Sequence, residues 1–274
     1  MAEFLALHQT DASLLGCLLR RLSGRISLGP VEPAAGVGFF ESDDVLLRKR
    51  PLGGHEPAFE RLADGVQSEA ALITSGVAFA GVRTFDERHT LPFRFKRWLF
   101  AIAGQPEKLG PARASLVAAL PEYLRRAVTG ESAAESLFFT FLARLRDAGR
   151  LDDLDVDAQT AARSLAAAVG EAERAFEQQG TPLPGIAAVA TNGRVLVALR
   201  RGHPLWLGEL DGLLPCARCE IPAGAGALDP RVTEHRNLRA AVLVSGPQKD
   251  PAGFRELAEG EVLAVPRDLR IAPL

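Results

Sequence analysis

The chain has no apolar run approaching the roughly 20 residues that span a bilayer, and its first residues lack the basic-then-apolar pattern of a secretory signal. A helical membrane protein is excluded, and a cytoplasmic one is expected. Excess positive charge is missing too. The 32 Lys and Arg stand against 34 Asp and Glu, a net charge of -2, so no basic footprint for nucleic acid exists. Basic pairs such as Arg20-Arg21, Arg125-Arg126 and Arg200-Arg201 read as solvated faces. Cysteine is scarce: Cys17, Cys216 and Cys219 form an odd set without secretory context, which excludes a disulfide framework and leaves reduced thiols as the default. What is present is 274 residues with 47% hydrophobic side chains, enough for one substantial core. A single compact domain over 1–274 is expected.

Residues 1–7 form a short apolar run suited to a buried strand, after which Asp11 offers an N-cap to a helix with Leu14, Leu15, Leu18, Leu19 and Leu22 at helical spacing. Residues 37–40 and 45–51, joined by Asp43-Asp44, carry a hairpin signal. Strands are predicted over 76–83 and 97–102. Between 111 and 180 the pattern turns helical, with Leu137, Phe138, Phe141, Leu142 and Leu145, then Ala162, Leu165, Ala166 and Val169, three and four apart. Strands return at 187–190 and 195–199 around Asn192-Gly193, and again at 242–244, 261–265 and 269–271. Strands, then helices, then strands joined by hairpins is the order of an α+β layered fold, not of a parallel βαβ repeat.

The segment 75–104, SGVAFAGVRTFDERHTLPFRFKRWLFAIAG, carries the most specific signal. It contains Gly81-Val82-Arg83, His89-Thr90-Leu91-Pro92-Phe93 and Ile102-Ala103-Gly104. This frame resembles the class II, N-terminal nucleophile type, glutamine amidotransferases, whose matching pieces are a His-x-Arg, an Asn-Thr-His-Pro-Phe and a His-Asn-Gly. Further pieces follow in colinear order. Residues 1–7 are similar to the family's opening Met-Cys-Arg-x-Leu-Ala, Gly36-Val37-Gly38-Phe39 to its Gly-x-Gly strand, and residues 130–135 to its Gly-x-Thr-Asp-Ser-Glu. Residues 190–200 resemble its late hairpin and 244–247 its Ser-Glu-Pro-Leu segment. The resemblance covers nearly the whole chain. It implies the four-layer αββα sandwich of the N-terminal nucleophile hydrolase type, as one glutamine amidotransferase type-2-like domain over 1–274.

The resemblance also assigns positions. In the family, a Cys exposed by removal of the initiator Met attacks the glutamine amide while its own α-amine acts as general base. Ala2 stands at that position here, and a methyl group cannot attack a carbonyl. The family's oxyanion-stabilising Asn-Gly is matched by Ala103-Gly104, which keeps at most the backbone N–H of Gly104; loss of one such donor costs roughly 2.7–4 kcal/mol of activation free energy. The family's Arg for the glutamine α-carboxylate is matched by Arg83, and its Asp for the α-amine by Ala133. Ala2, Gly81, Leu91, Ala103 and Ala133 together remove nucleophile, oxyanion donor and amine anchor. The expected function is therefore a glutamine amidotransferase-like protein without glutaminase activity. It would serve as a binding or regulatory module with a vestigial cleft around Arg83 and Gly104, open to a glutamine-like small molecule or a protein partner. The alternative is an active amide hydrolase or amidotransferase of the same fold that recruits His89 or a thiol.

Cys216-Ala217-Arg218-Cys219 is the other motif. One Cys-x-x-Cys is half of a zinc site and His203 and His235 flank it, but a structural site needs four ligands and usually two recognisable pairs. No βαβ pattern supports a redox pair. No metal and no other cofactor is expected on these grounds. Cys17 reads as a small buried hydrophobe, His89 as a surface polar residue beside Asp86 and Arg88, and Glu135 as a local capping or pairing group.

Overall fold

The computed structural model describes residues 2–26, 28, 34–42, 44–52, 59–78, 84–226, 229–246 and 251–273. Strand β1 (Ala2–Gln9) is buried along its whole length. Asp11 then accepts a hydrogen bond from the Ser13 backbone N–H at 2.9 Å, which opens a 3-10 turn leading into α1 (Leu15–Leu22). The next elements are the hairpin β2 (Ala34–Glu41) and β3 (Asp44–Pro51), the short α2 (Phe59–Leu62), β4 (Ala70–Gly76), β5 (Phe93–Phe95) and β6 (Trp98–Gly104). The helical block is α3 (Arg113–Ala119), α4 (Glu122–Ala127), α5 (Ala133–Asp147) and α6 (Ala158–Glu177). Then come β7 (Ile186–Thr191), β8 (Val195–Arg201), β9 (Trp206–Asp211), α7 (Pro230–Asn237), β10 (Arg239–Ser245), β11 (Phe254–Glu256), β12 (Val262–Pro266) and β13 (Ala272–Pro273).

All named pairings are antiparallel and fall into two sets. One runs β11-β9-β10-β1-β4-β2-β3 and the other β5-β6-β7-β8-β12-β13. A single register pair, Ala2 with Gly104, joins them. Strand alternation then divides the core in three. On β1, Phe4 and Ala6 meet Leu99, Ala101 and Ala103 of β6 between the sheets. Leu5 and Leu7 point the other way and pack with Leu15, Leu18 and Leu22 of α1. Trp98, Phe100 and Ile102 of β6 pack under Phe138, Phe141 and Leu142 of α5 and Leu165 of α6. Helix, sheet, sheet, helix is the expected αββα sandwich.

Aromatic contacts fix the second helical layer. Phe100 stacks on Phe138 with centroids 5.3 Å apart, and Trp98 meets Phe141 edge-on at 5.0 Å. Asp157 accepts from the Thr160 N–H at 2.8 Å and so caps α6, whose Ala161, Ala162, Ala168 and Ala172 are small enough to let it lie close to its neighbours.

Several elements differ from expectation. The strand predicted over 76–83 is β4, which ends at Gly76 with φ 100; beyond it Val77 forms one bridge with Thr90, and residues 79–83 lie outside the described set. The apolar run that fills the sheet is therefore Ala70 to Ile73. The strand predicted over 269–271 is a turn, with Leu269 at φ 60, and the pairing residues are Ala272 and Pro273. Strand β9 and helix α7 carry little apolar periodicity and were not predicted. Among the described residues no helix is long and apolar enough to cross a membrane.

Candidate functional site

Among the described residues the two sheets pair at a single point, Ala2 with Gly104. Ala2 pairs in register with Gly76 of β4 and with Gly104 of β6, and it is fully buried. Gly104 is held at φ 93, and a Cβ added there would lie 2.4 Å from the Gly185 carbonyl oxygen. A side chain at this φ would be strained and would clash with the backbone of the paired strand, so the position needs glycine.

The segment after β4 wraps this corner. The Ala78 N–H donates to the His89 carbonyl at 3.0 Å, and Thr90 bridges to Val77. The Leu91 carbonyl accepts from Thr74 Oγ1 at 2.7 Å and sits so close to β2 that a Cβ on Gly36 would be 2.1 Å from it. Ser132 caps α5 through the Ala134 N–H at 3.1 Å and donates its hydroxyl to the Ala78 carbonyl at 2.7 Å. These bonds bring Ala2, Ala78, Leu91 and Ala133 into one apolar cluster, each 4% exposed or less.

Ala103 does not share that cluster. Strand alternation turns its methyl into the inter-sheet core, on the opposite face from Ile102. Arg83 and Gly81, also predicted site positions, lie outside the described residues. His89, expected on the surface, is 7% exposed. Its Nδ1 lies 3.3 Å from Asp86 Oδ2, and its Nε2 accepts from the Glu131 N–H at 3.4 Å. Hydrogen bonds from Arg88 hold the Asp86 carboxyl below its ordinary pKa. Glu135 is a local pairing group, as expected. Its carboxylate accepts from the Thr129 N–H at 3.1 Å, the Thr129 hydroxyl at 3.0 Å and the Gly130 N–H at 2.7 Å.

A cavity of about 250 Å³ beside this segment is lined by Lys49, Glu87, Arg94, Thr129, Glu135 and Phe139 among others. Burial pushes the Lys49 ammonium down to about 8, with Glu87, Glu135 and Asp86 opposing. His203 is the residue that sequence reasoning missed. It packs against Gly104, with its Cγ 3.1 Å from where a Cβ would stand, and its Nε2 is buried without a hydrogen-bond partner among the described residues. Burial, then Arg200, lowers its pKa, which favours the neutral ring. Nothing in Gly202-His203-Pro204 marks that placement in advance.

The three thiols are elsewhere. Cys17 and Cys216 belong to the core beneath α1, on the far side of the first sheet from the corner, and Cys219 packs against that same core. A thiol therefore does not converge with His89.

No family model matches the sequence, and no curated protein matches it. Solved structures do. A glutamine aminotransferase class-II domain protein from Silicibacter pomeroyi is 17% identical and superposes with a TM-score of 0.56 over 99% of this chain and 98% of its own. The glutamine phosphoribosylpyrophosphate amidotransferase of B. subtilis, complexed with ADP and GMP, is 12% identical with a TM-score of 0.51. A structure of the allosteric regulatory enzyme of purine biosynthesis is 12% identical with a TM-score of 0.55. Each of these two matches covers 99% of this chain and 48% of the other, so the chain spans about half their length. With two antiparallel sheets packed between helical layers and meeting at Ala2 and Gly104, this chain has the fold of the class II, N-terminal nucleophile type, glutamine amidotransferase domain.

Proposed function

We propose that this chain is a class II glutamine amidotransferase-like protein that does not hydrolyse glutamine and acts as a binding or regulatory module. One observation carries the reading. At the sheet junction where the family places its nucleophile, the residue is Ala2, fully buried among Ala78, Leu91 and Ala133. Amide hydrolysis of this type needs a thiol or hydroxyl within hydrogen-bond reach of a base. A methyl group supplies no attacking atom, and the neutral imidazole of His203 has no described thiol beside it to activate.

The loss of polar groups is consistent within the corner. Once a cleft no longer binds a polar substrate, each unpaired buried donor or acceptor costs about 1–3 kcal/mol, and small apolar replacements remove that cost. Ala133, at the family's amine-anchoring position, now contributes a methyl group to the core under α5. The alternative of an active enzyme using a thiol is disfavoured by the position of Cys17, Cys216 and Cys219 behind the other sheet.

The test is direct. Purified protein incubated with glutamine is expected to release ammonia and glutamate no faster than a protein-free control. It is also expected to form no covalent adduct with an electrophilic glutamine analogue, read by intact mass. Enzyme-like turnover, or a stoichiometric adduct, overturns the reading.

A further inference from the structure

Cys17 and Cys219 are 202 positions apart in sequence, yet their Sγ atoms lie 3.4 Å apart. They are joined by two more groups. The ligand atoms of Cys17, Cys216, Cys219 and His235 all lie within 4.8 Å of one another. Three separate elements deliver them. Cys17 projects from α1 into the core with Leu15 and Leu18. Cys216 and Ile221 exchange backbone hydrogen bonds of 2.9 and 3.0 Å, which folds 217–220 into a tight turn and sets Cys219 beside Cys216. His235 comes from α7 and is 1% exposed.

The imidazole is oriented as a ligand. His235 Nδ1 donates to the Arg231 carbonyl at 2.7 Å, which places the proton on that nitrogen and leaves Nε2 as a bare lone pair. That Nε2 is buried and has no hydrogen-bond partner among the described residues. A buried acceptor left so costs free energy unless something binds it. Metal-ligating histidines regularly hold their other N–H against a backbone carbonyl in this way. We propose that Cys17, Cys216, Cys219 and His235 form a structural Zn2+ site.

The ligand set suits that ion. Thiolate and imidazole together select zinc, and four protein ligands close the tetrahedron, as structural rather than catalytic sites require. Zinc–sulfur bonds of about 2.3 Å and zinc–nitrogen bonds of about 2.0–2.1 Å imply ligand–ligand edges of roughly 3.5–3.8 Å, so ligand atoms that all lie within 4.8 Å of one another need shifts of only about an ångström to close on the ion. Coordination expels the three thiol protons to solvent. Three thiolates and one divalent cation leave one negative charge, and the cavity beside the cluster carries three arginines against one glutamate, Glu220. Arg20, Arg21 and Arg218 line a cavity of about 560 Å³ together with Cys17 and Cys216, which also provides an entry path. The Arg218 guanidinium lies across Gly16, where a Cβ would be 2.0 Å from it.

The competing chemistry is a disulfide between Cys17 and Cys219. It would leave the third thiol and the orphaned His235 Nε2 unexplained, whereas a metal uses all four groups. The inference is independent of whether the chain turns over glutamine.

The test is metal content and coordination of the full chain, purified with reductant and without chelator. About one zinc per chain is expected by elemental mass spectrometry, and Cys17→Ser and His235→Gln should each lose most of it. Since a variant can fail to fold, Co2+ is also titrated into wild-type protein stripped of metal. The expected spectrum has thiolate-to-cobalt charge transfer in the near ultraviolet and the intense visible bands of tetrahedral cobalt. Less than about a tenth of an equivalent of zinc together with no cobalt spectrum overturns the proposal. So does a Cys17–Cys219 disulfide in metal-free protein, or full zinc retained by both variants.

Discussion

The two helical layers of the sandwich are built differently. The layer over β6, β7 and β8 rests on α5 and α6, of 15 and 20 residues, and α5 alone buries 12 side chains, among them Leu137, Phe138, Phe139, Phe141, Leu142 and Leu145 in the same core as the Trp98 strand. Among the described residues the layer over β1, β4 and β10 has only α1 and α7, of 8 residues each, and the four-residue α2. Helix α7 buries Val232 and His235 alone. A fully buried apolar side chain contributes roughly 1.5–3 kcal/mol, so α7 has little to hold it by packing. A long helix secures itself through area; a short polar one needs a cross-link. The cysteine and histidine cluster lies in the thin layer, where such a link has most effect.

That contrast is open to attack at four points. The largest effect is expected from Cys216→Ser or from stripping zinc, on the order of 5 kcal/mol, or a fall in Tm of roughly 10–20 °C. Hydrogen exchange should rise first in α1, α7 and the 212–222 loop while α5 stays protected; uniform loss would show that the layers do not differ. Next, Phe138→Ala removes the ring stacked on Phe100 and is expected to cost about 4 kcal/mol in denaturant unfolding without altering metal content.

The third point lies between the sheets. Burial, then Arg267, depresses His8 to about 3 from its ordinary 6.5, and its Nε2 is 3.2 Å from Thr191 Oγ1. The unfolded chain takes up a proton below about pH 6.5 while the folded one does not until about pH 3, so this stability is full above pH 6.5 and is lost as pH falls. Stability should drop by about 3 kcal/mol from this group between pH 7 and pH 4, and His8→Gln should flatten that part of the pH profile. The smallest effect is expected at the junction itself. Gly104→Ala, with φ 93 and a Cβ 2.4 Å from Gly185 O, should cost about 2 kcal/mol by calorimetry and leave glutamine turnover at its background level.

Much of the fold was legible because it is written in local periodicity. Asp11 caps the first helical turn, Gly193 and Arg194 turn between β7 and β8 with Asn192 Oδ1 accepting from the Val195 N–H at 3.0 Å, and the aromatic-rich run of α5 is buried as its spacing requires. Strand β9 and helix α7 were not legible. Their sequences, Trp206-Leu207-Gly208-Glu209-Leu210-Asp211 and the polar run from Pro230 to Asn237, take their structure from what they pack against. At the candidate site the pairing of Ala2 with Gly104, the facing of Ala103 and the approach of His203 depend on strand direction and loop closure.

The sequence by itself determined the strand, helix, strand order of an α+β fold and the absence of a thiol at position 2, because hydrophobic spacing and residue identity are properties of the linear chain; the αββα layering was implied by the family resemblance. Only the tertiary structure decided that half a zinc motif has its other half. Cys17 carries no signal of partnership in sequence and His235 only its nearness to the Cys-x-x-Cys, and what unites them with Cys216 and Cys219 is the packing of two short helices against one sheet.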